Sequence, residues 1–178
     1  MWRDLQVQSE QKRSNRVELK VDDKAKFLET TLEPLEKGDD PASLFKALLL
    51  ACGRRPTTLH LTIDDRWVID DETKNEIWYR EKLKKRGRVG KVKGSVIPLL
   101  CSAGIFINAL RRFQRLVHTQ DQRNRVCESN AQLMFGGLHR SWCEGCGFRP
   151  RDFRALYAAY VGSNGDVRAG LTVPTTIS

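Results

Sequence analysis

The stretch "GDDPASLFKALLLACG", residues 38–53, decides how the rest of this chain folds. Asp40 suits a helix N-cap, Pro41 suits the first helical position, and Gly53 comes directly after the apolar run. The body between these residues is rich in leucine and should be buried. The sequence therefore predicts a buried helix that ends sharply at Gly53.

Two arginines follow this helix at once. The segment "ACGRRPTTL" places Arg54 and Arg55 at the helix C-terminus, where the helix dipole favours cations even on a solvated surface. The next residues, "RRPTTLHLTI", are typical of a short helix or a turn. Upstream, residues 23–37 have helical apolar spacing that Pro34 bends or ends, and residues 1–22 are polar enough to form an arm.

Downstream the pattern changes to that of a small antiparallel sheet. Residues 62–76 carry six acids around "DRWVID", a predicted strand. "NEIWYREKL" predicts a second strand, "KKRGRVGKVKG" a turn, and "SVIPLL" a third strand or its exit. Trp78 and Tyr79 alternate faces on the second strand, so at most one of them points outward. Residues 80–93 hold eight Lys or Arg, which favours a basic hairpin tip that contacts phosphates.

The remainder is predicted to be helical. "AGIFINALRRFQRLVH" has an apolar face, with Arg111, Arg112 and Arg115 on the other side. The members of that apolar face are Ile105, Phe106, Ala109, Leu110, Phe113 and Leu116. Residues 121–138 predict another helix, and "PRDFRALYAAYVG" a last one, from Pro150 to Gly162. The fold class is thus α+β, mainly α-helical with a small antiparallel β-sheet, followed by a flexible tail at 163–178.

Composition indicates a polyanionic partner. The chain has 178 residues, 40% hydrophobic content and a net charge of +9, with a pI near 9.6. Such a balance favours nucleic acid, and duplex DNA is the partner we expect. No secretory signal is visible, and the longest uncharged run, residues 95–110, is too short to span a membrane. We expect a cytoplasmic protein whose five cysteines are reduced.

Three basic segments carry the candidate chemistry: "ACGRRPTTL", "EKLKKRG" and "RPRDFRALYAAY". Arginines at helix ends can bind a phosphate through two hydrogen bonds, and a lysine beside that phosphate can donate a proton. Two arginines and a lysine around one phosphate would neutralise the charge that develops in a pentacoordinate transition state. Such a site needs no metal and no other cofactor.

These segments resemble the telomere resolvases, or protelomerases, a branch of the tyrosine recombinases. "ACGRRPTTL" is similar to their first arginine box. "IWYREKLKKRG", "GSVIPLL" and "IFINALRRF" follow in the family's order, and "RDFRALYAAY" is similar to the second arginine box. The resemblance covers about residues 44–162. It implies a tyrosine-recombinase-like catalytic core of the family that cuts duplex DNA through a 3′-phosphotyrosine and rejoins the ends as hairpins.

The resemblance assigns roles to individual residues. Arg55 and Arg154 match the two catalytic arginines, which bind the non-bridging oxygens. Lys84 matches the lysine that protonates the leaving oxygen, with Lys82 and Lys85 as alternatives, and Arg151 would assist with charge or positioning. The further DNA contacts expected are Arg54, Lys82, Lys85, Arg86, Arg88, Lys91 and Lys93.

The chain departs from the family after Arg154. The family places its tyrosine nucleophile well downstream, whereas Tyr157 and Tyr160 lie within two helical turns of Arg154 and should pack. We therefore expect a polar arm and short helix at 1–37, and an incomplete catalytic domain at 38–162 that binds DNA without cutting it. The resemblance also suggests a prokaryotic cell or a phage-infected host, and it allows a homodimer on a palindromic site.

Two other interpretations stay open at this point. The basic segments could form a non-enzymatic nucleic-acid-binding module, in which the arginines contact phosphates only. "HRSWCEGCGF" gives a weak zinc pattern, in which Cys143 and Cys146 would act with His139 and Cys127. Ordinary reduced cysteines explain the same spacing. His60 and His118 are interpreted as isolated structural histidines.

Overall fold

The computed structural model describes residues 23–81, 93–127 and 129–162. In these ranges it is mainly helical with one small sheet, which confirms the predicted α+β class. The helices are α1 (Lys24–Leu32), α2 (Pro34–Lys37), α3 (Pro41–Cys52), α4 (Ile63–Arg66), α5 (Ala103–Val117), α6 (Gln120–Arg125), α7 (Ala131–Ser141) and α8 (Pro150–Gly162), with a 3-10 helix at Pro56–His60. The strands are β1 (Trp67–Val68), β2 (Glu76–Glu81) and β3 (Lys93–Pro98).

Helix α3 is the centre of the core, as its sequence predicts. The Asp40 side chain accepts a hydrogen bond from the Ser43 amide, Pro41 occupies the first turn, and Gly53 ends the helix with a φ of 61°. From Leu44 to Cys52 every residue except Lys46 is buried. Helices α1, α2, α5 and α8 all pack against it. Because α3 is covered on so many sides, its two ends are fixed relative to the whole core.

The sheet has the order β1-β2-β3 and is antiparallel throughout. Strand β2 pairs with β3 from Glu76 opposite Pro98 to Glu81 opposite Lys93. The predicted first strand was too long: only Trp67 and Val68 are extended, because residues 63–66 form a helical turn. Tyr79 faces the core, whereas Trp78 faces outward and is 39% exposed, as the alternation predicts.

Helix α5 buries most of its predicted apolar face, with two differences. Ile107 belongs to the buried set, and Leu116 is 46% exposed. Arg112 is not a solvated surface residue. Its guanidinium donates to the carbonyls of Gly38, Pro34 and Leu35, at 2.8, 2.9 and 3.0 Å. This arginine therefore joins α5 to the end of α2.

The helix predicted over residues 121–138 is two helices. Thr119 and Gln122 form a capping box that starts α6, and the backbone becomes extended at Val126. The Asn130 side chain then accepts from the Cys127 amide and donates to the Arg125 carbonyl, at 2.8 Å in both cases. These bonds satisfy the end of α6 locally and close a tight connection to α7. Among the described helices, none combines the length and apolar character that crossing a bilayer requires.

Candidate nucleic-acid interface

The turn at residues 53–55, which we call the arginine turn, is held on both sides. The Gly53 amide donates to the Leu49 carbonyl at 2.9 Å, which completes the end of α3. After the turn, the amide and the hydroxyl of Thr58 both donate to the Arg55 carbonyl, at 2.9 and 2.7 Å. The backbone that carries Arg54 and Arg55 thus runs between a buried helix and a 3-10 helix, and its course is fixed by both.

The two arginines of this turn have different surroundings. Arg54 is half-buried, and its guanidinium carbon lies 4.4 Å from the centre of the Tyr79 ring, a cation–π arrangement. Arg55 is exposed, and its side chain has no hydrogen bond or ion pair with the part of the chain that the structure describes. Arg54 is therefore held against the sheet, while the Arg55 guanidinium is available to a ligand.

Helix α8 brings the second arginine segment to the same turn. The Arg154 side chain donates through Nε to the Gly53 carbonyl at 3.0 Å, across 101 positions of sequence. One turn later, Tyr157 packs its ring against Gly53 and donates its hydroxyl to the Pro98 carbonyl at 2.6 Å. Arg154 itself is exposed. The arginines at 54 and 154 also lie close enough to Cys52 to act on its thiol electrostatically.

Arg151 lies one helical turn before Arg154, so both lie on one side of α8. It is exposed, and its Nε is 3.8 Å from Asp152 Oδ1. Arg149 is closer to the same carboxylate, with its amide 2.7 Å from Asp152 Oδ2. An ion pair as exposed as the one at Arg151 contributes little to stability, so it does not prevent Arg151 from contacting a phosphate.

The basic hairpin begins beside the arginine turn. Tyr79, which contacts Arg54, is two residues before the end of β2, and Arg80 pairs with Gly94 at the base of the hairpin. The predicted contacts Lys82, Lys84, Lys85, Arg86, Arg88 and Lys91 lie outside the described residues. The backbone of Lys93 starts β3, and its side chain is also outside them. The roles assigned to these residues stay predictions.

Burial favours the thiol form of Cys52 and Cys101. Burial raises the pKa of the Cys52 thiol to about 12, although Arg54 and Arg154 act in the opposite direction. Burial likewise raises the pKa of Cys101 to about 12. Since the thiolate is the reactive form, both thiols stay protonated and inert at neutral pH.

The two tyrosines of α8 form hydrogen bonds that connect this helix to other parts of the fold. Tyr157 is engaged with Pro98, and the Tyr160 hydroxyl donates to the Lys24 carbonyl at 3.0 Å. Tyr160 is also buried. Both hydroxyls therefore point at backbone carbonyls, in agreement with their predicted packing role.

The residues of the predicted zinc pattern have other partners in the fold. His139 Nε2 lies 2.8 Å from His60 Nε2, and the Cys146 thiol donates to the Cys143 carbonyl at 3.1 Å. The Cys127 sulfur is 3.0 Å from the Ser129 hydroxyl. Within the described ranges, no group of three or more His, Cys, Asp or Glu side chains is arranged to hold a metal ion. All five cysteines are outside disulfides.

Sequence reasoning missed one constellation, because it treated His60 and His118 as isolated. Both are buried and lie in contact with each other and, through His60, with His139. The available signal in the sequence was that each histidine directly follows an apolar residue, Leu59, Val117 or Leu138. That pattern cannot show that the three segments pack together.

Comparison with known proteins identifies the fold. Two solved structures that share it are variants of protelomerase TelA, each covalently complexed with substrate DNA. One aligns with a TM-score of 0.51 over 86% of this chain and 50% of the other, at 18% identity. The second aligns with a TM-score of 0.54 over 79% of this chain and 47% of the other, also at 18% identity.

This likeness shows that the chain has a protelomerase-like fold. The present chain spans about half the length of those two proteins. No protein-family model matches the sequence. No curated protein matches it either.

Proposed function

We propose that this protein binds duplex DNA through a surface formed by the arginine turn, helix α8 and the base of the basic hairpin. The observation that carries the proposal is the bond from Arg154 Nε to the Gly53 carbonyl, because it joins the two arginine segments at one place. The net charge of +9 supplies the general attraction to a polyanion. The DNA complexes formed by the two TelA structures of the same fold support it further.

A single backbone phosphate suits the two arginines. When Nε of Arg154 is used for the turn, its two terminal nitrogens still carry four N–H donors. Arg55 offers its whole guanidinium group from the same turn. Charge-assisted hydrogen bonds from two guanidinium groups would fix the phosphate oxygens in place. Arg54 is held by Tyr79, so it adds positive potential more readily than a direct contact.

The finer roles follow the telomere-resolvase resemblance. Arg55 and Arg154 would bind the non-bridging oxygens of a target phosphate, Lys84 would stand where a leaving oxygen needs a proton, and Arg151 would add charge at the rim. We propose that this chain binds DNA without cutting it through either tyrosine of α8. The bonds of the Tyr157 and Tyr160 hydroxyls to backbone carbonyls support that part.

The first prediction concerns the two arginines. We expect Arg55→Ala and Arg154→Ala each to weaken binding of a labelled duplex by about tenfold, the loss of one charge-assisted phosphate contact. Fluorescence anisotropy at fixed salt measures this affinity. Arg125→Ala is the matched control, because Arg125 is an exposed arginine on a different element, α6, where it pairs with Asp121. It should change affinity less than about twofold.

The double variant tests whether one phosphate is shared. If Arg55 and Arg154 bind the same phosphate, the double variant should lose less DNA-binding free energy than the sum of the losses in the two single variants. Strictly additive losses would mean separate phosphates. The proposal would be contradicted if Arg55→Ala and Arg154→Ala weakened DNA affinity no more than Arg125→Ala does. That result would favour the alternative, a basic module in which all cations contribute equally to DNA binding.

The second prediction concerns cleavage. We expect that a mixture of this chain with labelled duplex DNA gives no covalent protein–DNA product on a denaturing gel. The result that would overturn this expectation is a labelled adduct that disappears in Tyr157→Phe or Tyr160→Phe. An adduct of that kind would assign the nucleophile to α8.

A further inference from the structure

All three histidines of the chain lie together in the core. They come from three places: the end of the 3-10 helix (His60), the residue after α5 (His118) and α7 (His139). His60 is the central member. Its Nδ1 lies 2.7 Å from His118 Nε2, and its Nε2 lies 2.8 Å from His139 Nε2. The three rings form one hydrogen-bonded chain, which we call the histidine cluster.

The surroundings of the histidine cluster favour neutral imidazoles. The His60 ring stacks on Phe135 at 3.9 Å, and the His139 ring stacks on Phe45 at 4.8 Å. In the described part of the chain, no carboxylate bonds to any of the three rings. A cation lies beside the cluster: Arg123 of α6 donates to the His118 carbonyl at 3.4 Å and acts electrostatically on the His118 ring. From α3, α5 and α7 the rings contact the uncharged side chains Phe45, Phe113 and Phe135, and Trp142 after α7 also packs against His139.

Proton counting shows why this arrangement is sensitive to acid. A neutral imidazole has one donor and one acceptor, so neutral His60 donates to one neighbour and accepts from the other. One extra proton can be accommodated on His60 if both neighbours accept, but it leaves a buried charge without a counter-ion. A second proton forces an N–H to face another N–H. The cluster must then open.

The histidine cluster holds the element that positions Arg55. The 3-10 helix begins directly after Arg55 and ends at His60. Gln114 donates to the carbonyls on both sides of His60, Leu59 at 2.8 Å and Leu61 at 2.9 Å. Thr58, within the same helix, donates to the Arg55 carbonyl. A displacement of His60 would therefore move the segment that fixes the arginine turn.

We propose that His60 is a positioning residue for Arg55, and that protonation of the histidine cluster releases the 3-10 helix and weakens DNA binding by the arginine turn. The DNA part of this inference rests on the proposed function. The direction in which DNA affinity changes with pH distinguishes this proposal from a simple charge effect. A basic protein ordinarily binds DNA more tightly as its histidines gain charge, whereas release of the turn makes binding weaker.

The test follows three signals from about pH 7.5 to about pH 3.5, a range that extends below the pKa of about 4 of His118 and His139. They are the side-chain ¹⁵N shifts of the histidines, the protection of the Thr58 amide against hydrogen exchange, and the affinity for a labelled duplex. We expect the histidines to stay neutral well below the ordinary titration range and then to titrate together. Thr58 protection should fall, and DNA affinity should drop about tenfold, over the same interval.

A double variant, His118→Gln with His139→Gln, provides the control. Glutamine can still donate or accept at the position of Nε2, but it does not titrate. We expect this variant to bind DNA normally at neutral pH and to lose most of the acid effect on Thr58 and on affinity. Carboxylates elsewhere titrate alike in both proteins, so the difference between the two belongs to the cluster.

Each contrary result has a separate meaning. Three independent titrations near pH 6.5 would show that the cluster does not form, which overturns the inference. If the histidines titrate together but the Thr58 amide stays protected against hydrogen exchange, the proposed link between the histidine cluster and the arginine turn is overturned. If neither protein binds DNA at any pH, the proposed function fails, and Thr58 protection alone then decides whether the cluster controls the turn.

Discussion

At the residue scale, Gly53 is the position on which the site depends most. Its φ of 61° lies in the left-handed region, which a residue without a Cβ adopts without strain. A Cβ built there would stand 2.0 Å from a ring atom of Tyr157. The same residue offers its carbonyl to Arg154. Gly53 therefore sets the backbone conformation of the turn, packs against the Tyr157 ring and accepts the hydrogen bond from Arg154.

We predict that Gly53→Ala destabilises the protein by at least about 2 kcal/mol, since it adds left-handed strain to a clash with Tyr157. Urea unfolding measures the change. Gly137→Ala is the matched control, because Gly137 lies in α7 with no atom near its missing Cβ. That substitution should stabilise the helix by about 0.5–1 kcal/mol. If the two substitutions changed the free energy of unfolding equally, Gly53 would not have the left-handed conformation and the close Tyr157 contact described above.

At the element scale, polar side chains from one element satisfy the ends of another. Gln114 of α5 does this for the 3-10 helix, and Arg112 of α5 does it for α2. Helical periodicity placed Arg112 on the polar side of α5, where a solvated role was the simple expectation. In the structure, Arg112 and Gln114 both donate to backbone carbonyls instead. Such partners are remote in sequence, so a periodic pattern cannot reveal them.

We predict that Arg112→Ala lowers the free energy of unfolding by about 2–3 kcal/mol, because three carbonyls lose a charged donor. The weak ion pair of Arg112 with the exposed Asp39, at 3.7 Å, adds little to this cost. Arg115→Ala on the exposed side of the same helix is the control and should stay within about 0.5 kcal/mol. Chemical denaturation of both variants measures the difference. Similar values for the two would mean that Arg112 is solvated.

At the scale of the whole molecule, one core joins elements from both ends of the described chain. Leu28 of α1 and Tyr160 of α8 belong to the same hydrophobic cluster as α3. The histidine cluster lies within this core, and its three members come from segments far apart in sequence. Global unfolding therefore exposes all three histidines together, which couples the stability of the molecule to pH.

We predict that stability falls as pH decreases from about 6.5 towards 4. Burial lowers the pKa of His118 and of His139 to about 4, and that of His60 lies below its ordinary value as well. Between these values and the unfolded value of about 6.5, the unfolded state binds more protons, so acid favours unfolding. Each histidine contributes up to about 1.4 kcal/mol per pH unit in this interval.

Urea unfolding at a series of pH values measures this slope. The His118→Gln and His139→Gln double variant should lose most of it and keep only the part due to His60 and the carboxylates. A wild-type slope equal to that of the double variant would contradict the buried, neutral state of the two histidines.

The sequence by itself determined the local features of this protein. Asp40, Pro41 and Gly53 marked the limits of α3, and alternation identified the β2–β3 hairpin. The arginine segments indicated a phosphate ligand, and their order indicated the fold. These features depend on hydrogen bonds and conformational preferences that act over a few residues, so a short stretch contains the information needed to predict them.

The tertiary structure alone decided which distant residues meet. It brought Arg154 to Gly53, placed Arg54 against Tyr79 while leaving Arg55 exposed, and joined His118 and His139 to His60. Packing of the whole core selects these contacts from many pairs that the sequence would allow equally. The physical reason is that burial of apolar surface is non-directional, so only the final close-packed arrangement determines which side chains become neighbours.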